Sequence, residues 1–393
     1  MLDLFKFFRT KNEVSSGTNV LPSIEDIKDL KGKRVLLRAS LNAPVENGKV
    51  TETFRLEQAV ESIEFLKNAG AKVVVIAHIG REKDESLEPV CEALSLLTPI
   101  KWGGELSQAG EKIAHLENGE AILLENLRQD SREVGNDESL ARELALLGDL
   151  YINDAFSDSH RNHASIVGIP KHLPSYFGFS FLREYNALLK VMEPKHPSVF
   201  ILGGAKFETK LPLVTRYARI YDKLFIGGAL VHDILKARGY EIGKSLVSDV
   251  DLTGNPILEL ENISVPSDVV VTDGVKRREV GVLAVLPEEY IYDAGPQTLK
   301  ELEHLTRDAK TILWNGPLGN FEKGFSFGTE TLARMIASSS AYSVVGGGDT
   351  IAAIRSLGLQ SRFGFLSTAG GAMLVFLEKG TLPAIDAVLH SQK

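Results

Sequence analysis

Val199-Phe-Ile-Leu-Gly-Gly-Ala-Lys206 sets a short apolar run with two β-branched residues against a pair of glycines, an alanine and a lysine. Such a run is too short for a helix and reads as a strand buried on both faces, with the glycines ending it. The pattern recurs at residues 34–38, 72–78, 121–124, 150–154, 223–227, 311–315 and 342–346. Most of these runs close on glycine, asparagine, aspartate or histidine, and a helical pattern follows. Strands alternating with helical stretches predict an α/β fold with parallel sheets. A chain of 393 residues, 44% of them hydrophobic, is too long for one ordinary core, so two doubly wound, Rossmann-like domains are expected. In such sheets ligands collect at the carboxyl ends of the strands, which is where the polar residues of this sequence fall.

Two helical stretches organise the chain. Leu56, Ala59, Val60, Ile63 and Leu66 repeat at helical spacing, with Arg55 at the start and Gly70 as a C-terminal stop. Leu182 to Met192 forms a second helix, closed by Glu193-Pro194, and is placed as the hinge helix between domains. Residues 1–18 read as a loose extension or weak amphipathic helix. The formal net charge is −8 and no Lys/Arg block interrupts it, so neither nucleic acid nor a membrane surface is the expected partner. No apolar run approaches the roughly 20 residues of a membrane span. Cys91 is the single cysteine, which excludes an internal disulfide and suits a reducing compartment, the cytoplasm.

Arg38 and Asn42 follow one strand and Arg55 opens a helix. His78 and Arg81 follow another strand, Arg128 a third, and His160, Arg161 and His163 a fourth. Guanidinium groups hold carboxylate and phosphate in fork geometry, and several converging ones would make an anion pocket; taken singly, each arginine as readily caps a helix or pairs with an acid. In the second half, Gly203-Gly-Ala-Lys206, Gly227-Gly-Ala229 and Gly346-Gly-Gly-Asp-Thr350 place glycines between a strand and a helix start. That arrangement presents free backbone N–H groups to phosphate, and Lys206 would reach the transferred group. Asp349 would serve as an N-cap or hold Mg2+, the cap being the simpler reading of the residue alone.

Two fingerprints fail. Gly239-Tyr-Glu-Ile-Gly-Lys-Ser245 is one residue short of a Walker A loop and follows a helical pattern, and Gly346-x-Gly348 leads to Ile351 where a dinucleotide site wants glycine. His160 and His163, three apart, form a possible metal pair, although the arginine between them favours an anion-binding or supporting role.

Together these segments resemble phosphoglycerate kinase from about Lys31 onward. The resemblance rests on Gly32 to Arg38 with Asn42-Ala-Pro44, His78-Ile-Gly-Arg81, Glu125-Asn-Leu-Arg128, Asn153-Asp-Ala-Phe156 with His160-Arg-Asn-His-Ala-Ser165, and Leu202 to Lys206. Trp314-Asn-Gly-Pro317 with Gly319-Asn-Phe-Glu322, Gly346 to Thr350 and Ser367 to Ala372 complete it. It implies an acid-binding domain over 19–181, a hinge over 182–194, a nucleotide domain over 195–375 and a segment, 376–393, that returns to the first domain. It also implies 3-phosphoglycerate and 1,3-bisphosphoglycerate as substrates, ATP or ADP with Mg2+, and a monomer. Ser40, Asn42, Arg55, His78, Arg81, Arg128 and Arg161 would bind the acid. Lys206, Arg55 and Gly371 would be catalytic. Lys206, Glu322, Gly347, Gly348, Asp349 and Thr350 would surround the nucleotide, with Asp349 on the metal.

Several residues depart from the family pattern. Ser40 stands where an aspartate is usual beside the substrate, so Ser40→Asp is expected to improve acid affinity. Glu82 replaces a usual proline. Ile291 stands for a glycine near the base, and Ala369 and Met373 replace a glycine and a serine; these three are expected to narrow the adenine pocket. An active kinase is the main reading, and a catalytically weak, nucleotide-binding relative is the alternative.

Overall fold

The computed structural model describes residues 20–392 except residue 82; the expectations placed on residues 1–18 and on Glu82 lie outside these. The first half contains β1 (Arg34–Ala39), the short hairpin β2 (Val45–Glu46) and β3 (Lys49–Val50), β4 (Lys72–Ile76), β5 (Lys101–Gly104), β6 (Ala121–Leu124), β7 (Leu150–Asp154) and β8 (Ser175–Phe177). Six of these form a parallel sheet in the order β5-β6-β4-β1-β7-β8. The second half contains β9 (Ser198–Leu202), β10 (Lys223–Ile226), β11 (Ile263–Ser264), β12 (Asp268–Thr272), β13 (Arg277–Gly281), β14 (Tyr290–Ala294), β15 (Thr311–Asn315), β16 (Tyr342–Gly346) and β17 (Phe365–Ser367). Its parallel sheet runs β11-β10-β9-β15-β16-β17, and β13-β12-β14 form a small antiparallel sheet beside it.

Alternation along β1 explains why these runs are apolar throughout. Val35 and Leu37 pack in one buried cluster with Val73, Val75 and Leu123, while Leu36 packs in another with Val74, Ile122 and Tyr151. Both faces are covered by helices, so only the strand ends remain for chemistry. Each sheet reverses its winding once, between β1 and β7 and between β9 and β15. Ala39 lies opposite Asp154 and Leu202 opposite Asn315, so the strands flanking each reversal end together and open a crevice at their carboxyl ends.

All eight expected strands are present, four with the expected bounds and four shifted by one or two residues. The edge strands β5, β8, β11 and β17 and the antiparallel sheet go unannounced in the sequence. Lys101-Trp-Gly-Gly104 has no β-branched residue, and β13 is largely exposed. The failed Walker stretch is a loop that braces β14: the Lys244 N–H donates to the Glu289 carbonyl (2.7 Å) and the Ile291 N–H to Ser245 Oγ (2.8 Å).

The inter-domain helix spans Phe179–Met192, beginning three residues before its sequence signal. Its early N–H groups are satisfied from elsewhere in the fold: Phe179 donates to Ser62 Oγ and Phe181 to Asp154 Oδ1, each at 3.0 Å. Those partners are distant in sequence, so no local cap marks the start. The buried face carries Phe181, Glu184, Ala187, Leu188 and Val191. Phe181 stacks on Phe177 (4.1 Å between centroids) and meets Phe156 (5.0 Å), which meets Phe376 of the second half (5.7 Å). One apolar cluster therefore runs from the first domain through the helix into the second. The helix Pro383–Ser391 crosses back and packs on residues 164–171 and β8. The Ala384 N–H donates to the Ser159 carbonyl (3.2 Å), and Gln392 Nε2 donates to the Ser175 carbonyl (2.7 Å).

Two carboxyl groups are buried along this hinge. Glu184 Oε1 accepts from the Thr368 N–H (2.9 Å), while Glu184 Oε2 and Asp154 Oδ2 have no protein partner. Burial raises each to about 7. Raised carboxyl values mean that the folded chain binds more protons than the unfolded one between roughly pH 4 and 7, so this contribution to stability falls as pH rises through that window. Comparing urea midpoints at pH 5.5 and pH 8, Glu184→Gln is expected to shrink the loss seen in the parent chain. An unchanged difference would show that Glu184 does not titrate in that range.

Candidate active site

On the first sheet the site grows around a charge hidden from water. Arg38 lies within β1 and is fully buried. Its Nε donates to Ser165 Oγ (3.0 Å), Nη1 to the Ala39 carbonyl (2.7 Å) and Nη2 to His78 Nδ1 (2.9 Å). This corrects the sequence placement of Arg38 among ligand-facing arginines: it lies under the site and organises it. Because His78 Nδ1 accepts a hydrogen bond, its proton sits on Nε2, 3.6 Å from Asp158 Oδ1. Burial, reinforced by Arg38, Arg128 and Arg161, pushes His78 down to about 3, so it is a neutral donor. Burial works against the Asp158 carboxylate, but His78, Arg38, Arg161 and Arg55 more than offset it and keep Asp158 ionised.

The remaining acid-side candidates occupy the carboxyl ends of β1, β4, β6 and β7. Arg161 Nη1 donates to Asp158 Oδ1 (3.0 Å). Asn42 Oδ1 accepts from the Gly80 N–H (3.0 Å), and Arg128 Nη1 donates to the Gly80 carbonyl, so both shape the loop that bears Arg81. Arg81 is exposed, with its N–H held by Glu85 (2.6 Å). Ser40 Oγ lies 2.8 Å from Ser157 Oγ. His163 does not converge with His160 on a metal: it stands 3.7 Å from the buried Glu133, and burial with Arg161 and Arg38 pushes it to about 4. Among the described residues, no group of three or more His, Cys, Asp and Glu side chains is placed to hold a metal ion.

The glycine clusters occupy the carboxyl ends of β9, β10 and β16. Gly228 adopts a left-handed φ of +58°, and a Cβ there would press on the backbone of Gly204 and Pro317. Lys206 is also left-handed (φ +65°), a conformation that costs a non-glycine residue energy, and its side chain is exposed. The helix Gly348–Ser356 is capped by Gly347, with no side-chain cap bond. Asp349 is therefore not the N-cap that its position suggested; it is exposed in the first turn and leaves the helix N–H groups uncovered. Thr350 is buried with its hydroxyl unpartnered. Glu322 and Asp349 line one cavity of about 290 Å³, together with Gly204, Ala205, Ile291 and Leu318.

Ile291 does face that cavity, but Ala369 and Met373 do not line it. Both are buried in the hinge cluster, and Met373 fills the space beside Gly346. The expected narrowing therefore applies to Ile291 alone.

The two edges face each other. Arg55 Nη2 donates to the Thr368 carbonyl (3.2 Å), Arg355 pairs with Glu52 (2.6 Å), and His160 Nε2 approaches Gly371, which opens the helix Gly371–Lys379. Sequence reasoning missed Asp158, Glu184, Lys210 and Asp293. Lys210 is buried, donates to the Gly203 carbonyl (2.7 Å) and is lowered to about 8 by burial; its i+4 spacing from Lys206 was the available signal. Asp293 accepts from the Gly328 N–H (2.9 Å) and so anchors the start of the helix Phe327–Ser338. A carboxylate inside a strand of alternating polarity gives no such signal.

An anion pocket on one Rossmann-like domain and glycine loops at helix starts on the other, joined by a shared helix, define a two-domain phosphotransferase. The chain matches the phosphoglycerate kinase family over residues 24–380. It is 41% identical to phosphoglycerate kinase of Maricaulis maris over 386 residues, covering 92% of this chain and 96% of that one. The Thermus thermophilus enzyme is 40% identical over 384 residues, with 92% and 98% covered. The solved phosphoglycerate kinase of Coxiella burnetii superposes with a TM-score of 0.84 at 36% identity, over 95% of this chain and all of that one. That of Pyrococcus horikoshii gives 0.82 at 30%, over 95% and 99%. The chain belongs to the phosphoglycerate kinase family. Its reaction is phosphoryl transfer with a carboxyl group as acceptor, and nothing in these comparisons favours a non-catalytic relative.

Gly228→Ala is expected to weaken ATP binding at least tenfold in titration calorimetry, because the added methyl displaces the Gly204 backbone from the cavity wall. Affinity for 3-phosphoglycerate is expected to stay within about twofold if the acid is held at the other sheet.

Proposed function

We propose that residues 19–181 bind 3-phosphoglycerate or 1,3-bisphosphoglycerate and residues 195–375 bind MgATP or MgADP. In this reading 182–194 act as the hinge and 376–393 tie the second domain back to the first. The observation that carries this reading is the facing of the two carboxyl edges across one helix, with guanidinium groups on one edge and glycine loops on the other.

Asn42, Arg55, His78, Arg81, Arg128 and Arg161 receive the acid and its phosphate. Because His78 is neutral, it offers a hydrogen bond without adding charge, and the arginines neutralise the phosphate. Gly347, Gly348 and Thr350 present the helix start to the nucleotide phosphates, and Glu322 takes the ribose hydroxyls. Asp349 fits a magnesium ion: it is a single exposed carboxylate on the cavity wall, and magnesium typically binds one or two carboxylates plus phosphate oxygens and water. When bound, that ion offsets phosphate charge.

Phosphoryl transfer needs in-line positioning and neutralised equatorial oxygens more than a covalent catalyst. Lys206, Arg55 and the helix start at Gly371 supply that neutralisation. Holding acid and nucleotide on separate domains keeps the reactive phosphate from water until the hinge closes. The complete set of groups lies within one chain, which supports a monomer, and a single, buried cysteine suits the cytoplasm.

ADP formation from MgATP, followed in a coupled assay, is expected to depend on added 3-phosphoglycerate. Lys206→Ala is expected to lower kcat by roughly 10² or more with little change in acid affinity; an unaltered rate would remove Lys206 from the mechanism. Asp349→Asn is expected to raise the magnesium concentration needed for half the maximal rate.

A further inference from the structure

Ser40 lacks the charge that an aspartate would bring to the acid pocket, yet a carboxylate stands two hydroxyls away. Ser157 Oγ donates to Asp158 Oδ2 (3.3 Å), and Ser40 Oγ lies 2.8 Å from Ser157 Oγ. A serine hydroxyl has one proton and two lone pairs. Ser157 gives its proton to Asp158, so the proton between the two serines comes from Ser40. Ser40 Oγ is left as an acceptor, partly exposed at the carboxyl end of β1.

The geometry points to a relay, Asp158 to Ser157 to Ser40, that carries the polarisation of a buried carboxylate to the pocket and recognises a hydroxyl group on the bound acid. This deepens the reading of the acid site given above and rests on it. Asp158 is a positioning residue here. It is only 3% exposed, its Oδ1 is held by Arg161 and faces His78 Nε2, and its Oδ2 faces Arg38 Nη2 at 3.8 Å. These contacts fix the carboxylate so that its remaining capacity is directed to Ser157. Hydrogen bonds in a chain polarise one another in a low-dielectric setting, and an acceptor at the end of a charged chain is stronger than an isolated serine. A site built to pair with a substrate hydroxyl discriminates against the analogue that lacks it.

The relay also reverses the expectation for Ser40→Asp. A second carboxylate at position 40 would lie across one hydroxyl from Asp158, and like charges so close oppose each other. The single substitution therefore weakens acid binding, and moving the charge restores it.

The test measures affinities for 3-phosphoglycerate and for 3-phosphonooxypropanoate, which lacks the 2-hydroxyl, by calorimetry on the full chain, with turnover followed separately. The parent chain is expected to prefer the hydroxy acid. Ser40→Ala and Asp158→Asn each reduce that preference about tenfold, and Ser40→Asp combined with Asp158→Asn recovers it. ATP affinity and thermal unfolding report whether each variant is folded. Equal proportional loss for both acids, or a preference untouched by either substitution, would overturn the relay. A preference that behaves as described in a chain without acid-dependent turnover would uphold the relay and reject the kinase reading.

Discussion

A single helix of 14 residues, Phe179–Met192, about 20 Å long at the usual rise per residue, fixes where everything else can be. Its first turn is pinned by Ser62 of the helix Phe54–Asn68 and Asp154 of the first sheet, and Glu184, near its middle, is bonded to Thr368 at the end of the second sheet. Its apolar face lies in one cluster with Phe156 on one side and Phe376 on the other. With both domains hung on this shared rod, the two sheets present the same kind of edge to each other. The facing of the two edges is thus a consequence of packing geometry before it is a matter of chemistry.

The acid side shows how desolvation sets chemical character. A guanidinium removed from water must be surrounded by acceptors, and Arg38 obtains them from Ser165, Ala39 and His78, with Asp158 as counter-charge. The same burial strips His78 of its charge, and it works against Asp158 as well, which stays ionised because the neighbouring guanidinium groups offset that cost. The pocket is therefore less positive than its number of arginines suggests, and richer in oriented dipoles.

Much of this was legible before any coordinates. The eight central strands, the two-domain division and the polar residues at the strand ends follow from local pattern, since strands buried on both faces must be apolar throughout and must stop where function begins. What escaped is what depends on partners far away in sequence. The start of the hinge helix is satisfied by Ser62 and Asp154, more than a hundred and more than twenty residues distant. Asp349 was read as a cap because aspartate often caps, while the glycine at 347 ends up in that place. Met373 and Ala369 depart from the family pattern in a glycine-rich segment, which suggests the nucleotide pocket, but both are buried in the apolar cluster. Asp158 carries no local signature at all, and its role emerges only from the four side chains that converge on it.

The chain passes the hinge twice, outward through Phe179–Met192 and back through Pro383–Ser391, whose packing on residues 164–171 and β8 closes the first domain. During synthesis, when domains otherwise fold in order from the amino end, the first domain must wait for residues beyond 380 to leave the ribosome before its surface is complete. Its nascent form carries an uncovered apolar face through the making of the entire second domain. The two units are separate in architecture but share one moment of completion.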